Sequence, residues 1–293
     1  MGVCAVVVTY NRRALLRECL AALAAQHRAA DHVLVVDNAS TDGTPEMIRA
    51  EYPEVELLAL ASNGGGAGGF HAGLAHAHTG GHEWIWLMDD DTMAEPAALE
   101  ELLQAPVRAG LVRPPALLSS RVVWQDGRLH PMNWPGFERE DTAAVIEGAR
   151  YGLVPLRTAT FVSLLVHRGT IDRHELPLRR YFIWSDDIEY TARVTRHETA
   201  YLVPTSVVLH KTAQPYTALN DSGERFYFHV RNTLYMIRGS AWRLREKPSL
   251  MVVLITGTVA YLRHNRFSRR AVLPVLRGLR DGLAPGAPVP ARP

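Results

Sequence analysis

The chain is predicted to be an α/β protein: a mostly parallel sheet flanked by helices, followed by a basic helical extension. Three observations predict it. Apolar runs of strand length alternate with helical spacing through the first hundred residues. Each of the first four runs leads into polar residues. The fourth, Trp84–Met88, stops in three consecutive acids, Asp89, Asp90 and Asp91. Strand–helix alternation implies parallel pairing with right-handed crossovers, and open sheets of this kind take ligands at the carboxyl ends of their strands.

Val3 to Thr9 is a continuous apolar strand, and Arg13 to Gln26 places Leu15, Leu16, Cys19, Leu20 and Leu23 at helical spacing. His32 to Asp37 is a second strand. Thr44 to Glu51 is a short helix with Pro45 at its start. Val55 to Leu60 is a third strand, Phe70 to His78 a helix, Trp84 to Met88 the fourth strand and Glu95 to Gln104 another helix. Residues 111–170 are less regular and rich in Pro, Trp and Gly; strands and loops there are expected to shape a pocket. A strand follows over Leu202 to Leu209, ending at His210. The expected division is a main domain over 1–235, with a ligand half to about 110 and a second half to 235. A basic helical extension over 236–283 and a disordered tail over 284–293 complete it.

Composition narrows the function. With 293 residues, 47% hydrophobic and 21% charged, the chain has ample material for a core. A net charge of +2 gives no general affinity for nucleic acid. Cys4 and Cys19 lie in a strand and a helix with no disulfide framework around them, which favours a reducing, cytoplasmic compartment. The N-terminus reads as a first strand, not as a basic leader with a cleavage site. From Arg225 to Asp281 many bases are opposed only by Glu246 and Asp281. Between them lies Leu250 to Leu262, well short of the ~20 residues needed to span a bilayer. Two readings fit this region: peripheral contact with the inner face of an anionic membrane, or a helix packed on the main domain with a solvated basic face.

Four strand ends should meet on one edge as a single cleft. They carry Thr9-Tyr10-Asn11-Arg12, Asp37-Asn38 and a following turn, Asn63 with the glycines through Gly66 to Gly69, and the three acids. Adjacent carboxylates repel unless solvated or neutralised, and they favour hard divalent ions such as Mg2+ or Mn2+. Asp37 can accept from a base or ribose, although Asp-Asn-Ala-Ser-Thr-Asp-Gly is also strong turn sequence. The glycine run permits close backbone approach before a helix N-terminus, which suits phosphate. It matches neither a dinucleotide fingerprint nor a P-loop. Further on, Trp184-Ser185-Asp186-Asp187-Ile188-Glu189 opens a helix. Acids in a first turn are favoured by the macrodipole. An ionised one beside aromatic residues can also take a proton from a sugar hydroxyl. His210, at a strand end facing the cleft, is a candidate metal ligand.

These segments together resemble the inverting glycosyltransferases of family 2, which have a GT-A nucleotide-sugar-binding fold. The resemblance runs from Val3 to Leu234. It rests on Val-Val-Val-Thr-Tyr-Asn-Arg, Val-Val-Asp-Asn-Ala-Ser-Thr-Asp-Gly-Thr, the Asp-Asp-Asp segment and Trp-Ser-Asp-Asp-Ile-Glu. Asn63 to Phe70, Trp84 to Asp91 and Phe226-Tyr-Phe-His-Val-Arg-Asn232 are similar to the galactofuranosyltransferase branch, with rhamnosyltransferases as close relatives. The resemblance implies that Thr9, Asp37 and Asn63 hold the nucleotide, with Tyr10, Asn11, Arg12, Asn38, Gly66, Gly69 and Asp90 lining the donor site. It implies Asp89, Asp91 and His210 as ligands of Mn2+ or Mg2+. Asp187 becomes the general base, while Asp186, Trp184 and Glu189 meet the acceptor. The expected reaction moves a sugar, first galactofuranose from a UDP donor and alternatively rhamnose from a dTDP donor, to a hydroxyl. The acceptor would be a glycan, a lipid-linked glycan or a small molecule. Polymerising members carry an extra N-terminal β-rich domain and a long helical C-terminal region, so this chain is expected to add one or a few sugars. A non-catalytic binding protein on the same scaffold is the rival of a different class, against which the intact acids and His210 argue.

Overall fold

A computed structural model describes residues 2–138, 141–213 and 223–284. The first half alternates strand and helix as the periodicity predicts: β1 (Val3–Thr9), α1 (Arg13–Ala24), β2 (His32–Asp37), α2 (Thr44–Glu51), β3 (Glu56–Ala59), α3 (Gly65–Thr79) and β4 (Trp84–Asp89). Next come β5 (Thr92–Ala94), α4 (Ala98–Arg108), β6 (Leu117–Val123), β7 (Gly136–Phe137), α5 (Thr142–Arg150), β8 (Val154–Thr158) and β9 (Leu164–His167). The chain continues through α6 (Arg168–His174), α7 (Asp186–Val194), β10 (Ala200–His210), α8 (Phe226–Arg238), α9 (Lys247–His264) and α10 (Arg269–Leu283). The predicted tail lies outside the described residues apart from Ala284.

One sheet runs in the order β3-β2-β1-β4-β9-β6-β10-β8-β7, with β5 paired to β10. Pairing is parallel among the first four strands and between β6 and β10, and antiparallel through β9 and at the outer edge. In register, Thr9 lies beside Asp37, Asp37 beside Ala59, and Val8 beside Asp89. The polar strand ends therefore share one edge.

Because β1 is buried on both faces, its side chains alternate between two cores. Val3, Ala5 and Val7 join Leu16, Cys19 and Leu99 of α1 and α4. Cys4, Val6 and Val8 join Phe70 and Leu74 of α3 and Tyr190 of α7. Both cysteines are free and buried.

Helix α3 starts at Gly65, earlier than the Phe70 expected from periodicity. Packing overrides the poor helix propensity of the glycines. A Cβ at Gly69 would stand 2.4 Å from Val8 Cγ1, and one at Gly73 2.4 Å from Val6 Cγ1. Only glycine lets the helix lie this close to β1. Helix α4 likewise runs later than predicted, over Ala98–Arg108.

Helices α8, α9 and α10 build a separate core around Phe226, Val230, Leu254, Tyr261 and Val275. A second cluster, Ala67, Tyr181, Met236 and Leu250, ties this unit to α3 and to the segment before α7. Position 235 falls inside α8, which thus serves both the main domain and the extension.

Candidate active site

The acids closing β4 meet the end of β10. Ligand-capable atoms of Asp89, Asp91 and His210 all lie within 4.8 Å of one another. His210 Nε2 is 3.2 Å from Asp91 Oδ1. Arg12 crosses the cluster, donating to Asp91 Oδ2 at 2.6 Å and to Asp90 Oδ1 at 3.2 Å. Thr9 Oγ1 donates to the other oxygen of Asp90 at 2.7 Å. Asp90 thus braces the loop after β1 against the end of β4.

Electrostatics separate the three acids. Burial, with the charges of Asp91 and Asp90 added, raises the Asp89 carboxyl well above its usual range. Burial raises Asp90 to about 6 despite the Arg12 charge. For Asp91 burial also acts upward, but the His210 contact and Arg12 outweigh it and hold the group low.

His210 is oriented from behind. Its Nδ1 is 2.8 Å from Asn133 Oδ1, and Asn133 Nδ2 donates to Thr160 Oγ1 at 3.0 Å. With the amide oxygen toward the ring, Asn133 accepts from the Nδ1–H of His210 and leaves Nε2 turned to Asp91. Asp91 Oδ1 is buried and has no hydrogen-bond partner. An imidazole nitrogen and a buried carboxylate oxygen facing each other, beside Asp89, fit a divalent cation of the Mn2+ or Mg2+ kind. The His130 ring lies tilted, its centroid 4.7 Å from that of His210, and is neutral, lowered to about 4 by burial and then by His210. It accepts from Met132 N–H and bonds Thr212 Oγ1.

The second group of acids opens α7. Asp186 is buried; burial first, then Asp187 and Asp89, raises its carboxyl well above the usual range. Asp187 is pushed up to about 6 by burial, against the backbone N–H groups of Ile188 and Phe161. The Asp187 charge also raises Asp89, so the two clusters share one field. The backbone leading in is strained, with positive φ at Phe182, Trp184 and Ser185. Asn232 of α8 holds it, its amide sharing N–H groups among the carbonyls of Tyr181, Ile183 and Trp184 at 2.8–3.0 Å. Arg231 donates to the Arg180 and Tyr181 carbonyls at 2.8 Å. Ala67 N–H of α3 donates to Phe182 O at 3.1 Å, joining the glycine segment to the same loop.

The remaining predicted residues divide into two sets. Asp37 accepts from Ser40 N–H at 3.0 Å through Oδ2, while its buried Oδ1 has no partner. Asn38 donates to Gly65 O at 3.2 Å, and its Oδ1 is also unpartnered. Two buried acceptors thus await donors at the end of β2. Space for a Cβ is open at Gly66, Tyr10 is exposed, and Trp184 is half-buried. Other residues are committed locally. Asn11 Oδ1 accepts from Thr41 N–H at 2.7 Å, and Asn63 Oδ1 accepts from Gly65 N–H at 2.7 Å in the turn before α3. Gly69 faces Val8. Glu189 turns both oxygens to Arg193, at 3.0 and 3.2 Å, rather than to the cleft. Asn133, Thr160 and His130 were not singled out by sequence; their pairing with the end of β10 spans a separation no local pattern encodes.

The family described as Glycosyl transferase family 2 matches residues 4–132. Galactofuranosyltransferase GlfT1 of Mycolicibacterium smegmatis is 30% identical over 260 residues, covering 80% of this chain and 82% of the relative. The chain belongs to glycosyltransferase family 2. N-acetylglucosaminyl-diphospho-decaprenol L-rhamnosyltransferase of Mycobacterium tuberculosis is 26% identical over 262 residues, covering 81% of this chain and 85% of that one. The fold is shared with S. aureus TarS 1-349 in complex with UDP: TM-score 0.65, 16% identity, 96% of this chain and 80% of that chain. This family 2 glycosyltransferase therefore has the GT-A-like sheet that its sequence predicts.

Proposed function

We propose that this family 2 enzyme is a divalent-metal-dependent inverting transferase that moves galactofuranose from UDP-galactofuranose to a hydroxyl of a glycan or lipid-linked glycan. The observation that carries the mechanism is the meeting of two acid groups of opposite character: Asp89, Asp91 and His210, with ligand atoms within 4.8 Å of one another, and Asp187, whose charge acts on Asp89. The donor sugar rests on similarity to the mycobacterial GlfT1.

Asp37 Oδ1 and Asn38 Oδ1 would accept from the base and ribose of the donor nucleotide, leaving neither oxygen buried and unpaired. A divalent ion at Asp89, Asp91 and His210 would neutralise charge gathering on the departing diphosphate. Asn133 keeps His210 Nε2 aimed at that position. Asp187, ionised above about pH 6, takes the proton of the acceptor hydroxyl as it attacks the anomeric carbon from the face opposite the diphosphate. Burial favours the neutral form of Asp186, which limits the negative charge beside the base. One displacement inverts the centre without a covalent enzyme intermediate.

A second reading, rhamnosyl transfer from a dTDP sugar, is favoured by the similarity to the M. tuberculosis rhamnosyltransferase. Nucleotide release from UDP-galactofuranose and dTDP-rhamnose, measured with Mn2+, with Mg2+ and with chelator, separates the two. UDP release that depends on metal is expected. Release from dTDP-rhamnose alone would replace the donor, and metal-independent turnover would remove the ion from the reaction.

A further inference from the structure

The C-terminal helices leave one face uncovered. Helix α9 turns Leu250, Leu254, Gly257 and Tyr261 inward. Val252 and Ile255 remain 58% and 55% exposed, with Val259 also exposed one turn on. Their i, i+3, i+7 spacing makes a single outward stripe. Helix α10 packs with small residues against α8: a Cβ at Gly278 would lie 2.8 Å from Val230 Cβ, and one at Gly282 2.6 Å from Leu234 Cδ1. Leu273 and Leu276 are left exposed beside Arg269, Arg270 and Arg277. The turn between the helices adds Arg263, Arg266 and an exposed Phe267. Over residues 263–283 six arginines face one acid, Asp281, which is itself bonded to Tyr227 and Arg280.

Helix-packing alone explains the inward residues and leaves the outward ones unexplained. Exposed aliphatic side chains beside a dense cluster of arginines mark an interaction site. Charge decides the occupant. A second copy docking by two-fold symmetry would set arginine against arginine at the rim. An anionic bilayer accepts aliphatic side chains below its headgroups and guanidinium groups at its phosphates. We propose that the outer face of the α9–α10 hairpin docks this enzyme, lying in the plane of the surface, on an anionic phospholipid bilayer. Among the described residues no helix is long and apolar enough to cross a membrane, so the contact is peripheral. The proposal goes beyond the choice of donor sugar, and binding, not turnover, tests it.

The full chain is sedimented with vesicles of phosphatidylcholine alone and of phosphatidylcholine doped with phosphatidylglycerol. Binding to the anionic vesicles only, weakening as salt rises, is expected. Arg269→Ser with Arg270→Ser should lower the partition coefficient by about tenfold or more. Ile255→Glu with Val259→Glu should abolish binding while leaving thermal melting and nucleotide binding intact, since both side chains point outward. Failure of the wild type to prefer anionic vesicles, or full binding by the Glu variant, overturns the proposal. So does a dimer in sedimentation velocity that the Glu variant dissolves without any vesicle binding by the wild type, which would assign the face to a second copy.

Discussion

The acids that close β4 and those that open α7 occupy one electrostatic neighbourhood, yet they are neutralised differently. At β4, Arg12 and His210 bring basic groups to Asp91, which is held low despite burial. At α7 no cation among the described residues touches Asp187; backbone N–H groups only partly offset burial, and it rises to about 6. Partners differ, and partners set the chemistry: a carboxylate paired with basic groups is a standing ligand, whereas one steadied by amides can exchange a proton near neutral pH.

The largest expected effect comes from removing the exchangeable acid. Asp187→Ala should lower kcat by about 10²–10⁴-fold while donor affinity stays nearly unchanged, because a general base acts on the acceptor. Nucleotide release and calorimetric titration with UDP measure the two quantities. A comparable loss of donor affinity would make Asp187 a binding residue. Asp91→Ala should act the opposite way, bringing UDP affinity in Mn2+ down to its level in chelator; a ligand's loss should cost at least the ~10–100-fold typical of its supporting residues. Affinity that never responded to chelator would refute the ligand role.

Asn133→Ala probes the contrast more finely. Without the amide acceptor, the His210 ring is free to change tautomer, and Mn2+ affinity followed by electron paramagnetic resonance should fall about tenfold. Asn133→Asp, which keeps an acceptor, should recover most of it. A purely structural role would lower the melting temperature in both variants and leave Mn2+ affinity unchanged. The smallest effect is the pH profile. Asp187 must be ionised to accept a proton, so kcat/KM should climb as pH rises through about 6. The step should move lower with a bound cation, whose charge favours the carboxylate. A profile flat across that region would disconnect the rate from this carboxyl.

The acids of the site were legible in the sequence because each stands where a period breaks. Trp-Ile-Trp-Leu-Met could only be a buried strand, so Asp89, Asp90 and Asp91 had to emerge at its end. Asp186 and Asp187 open a helix whose register is plain. Periodicity starts α3 at Phe70 rather than Gly65, since propensity ignores what the helix packs against; Val6 and Val8 are invisible from position 69 or 73. Glu189 was assigned to an acceptor although Arg193, one helical turn on, was in reach to claim it.

By itself, then, the chain dictated strand and helix order, the parallel edge of polar strand ends and the acids delivered there, because these follow from local periodicity and from where apolar runs stop. Tertiary structure alone decided that Asn133 and Thr160 steer His210, that Asn232 braces the strained approach to Asp187, and that the aliphatic stripe of α9 faces outward. Those relations join residues far apart in the sequence, and which side chains they couple depends on how the sheet and helices pack in three dimensions.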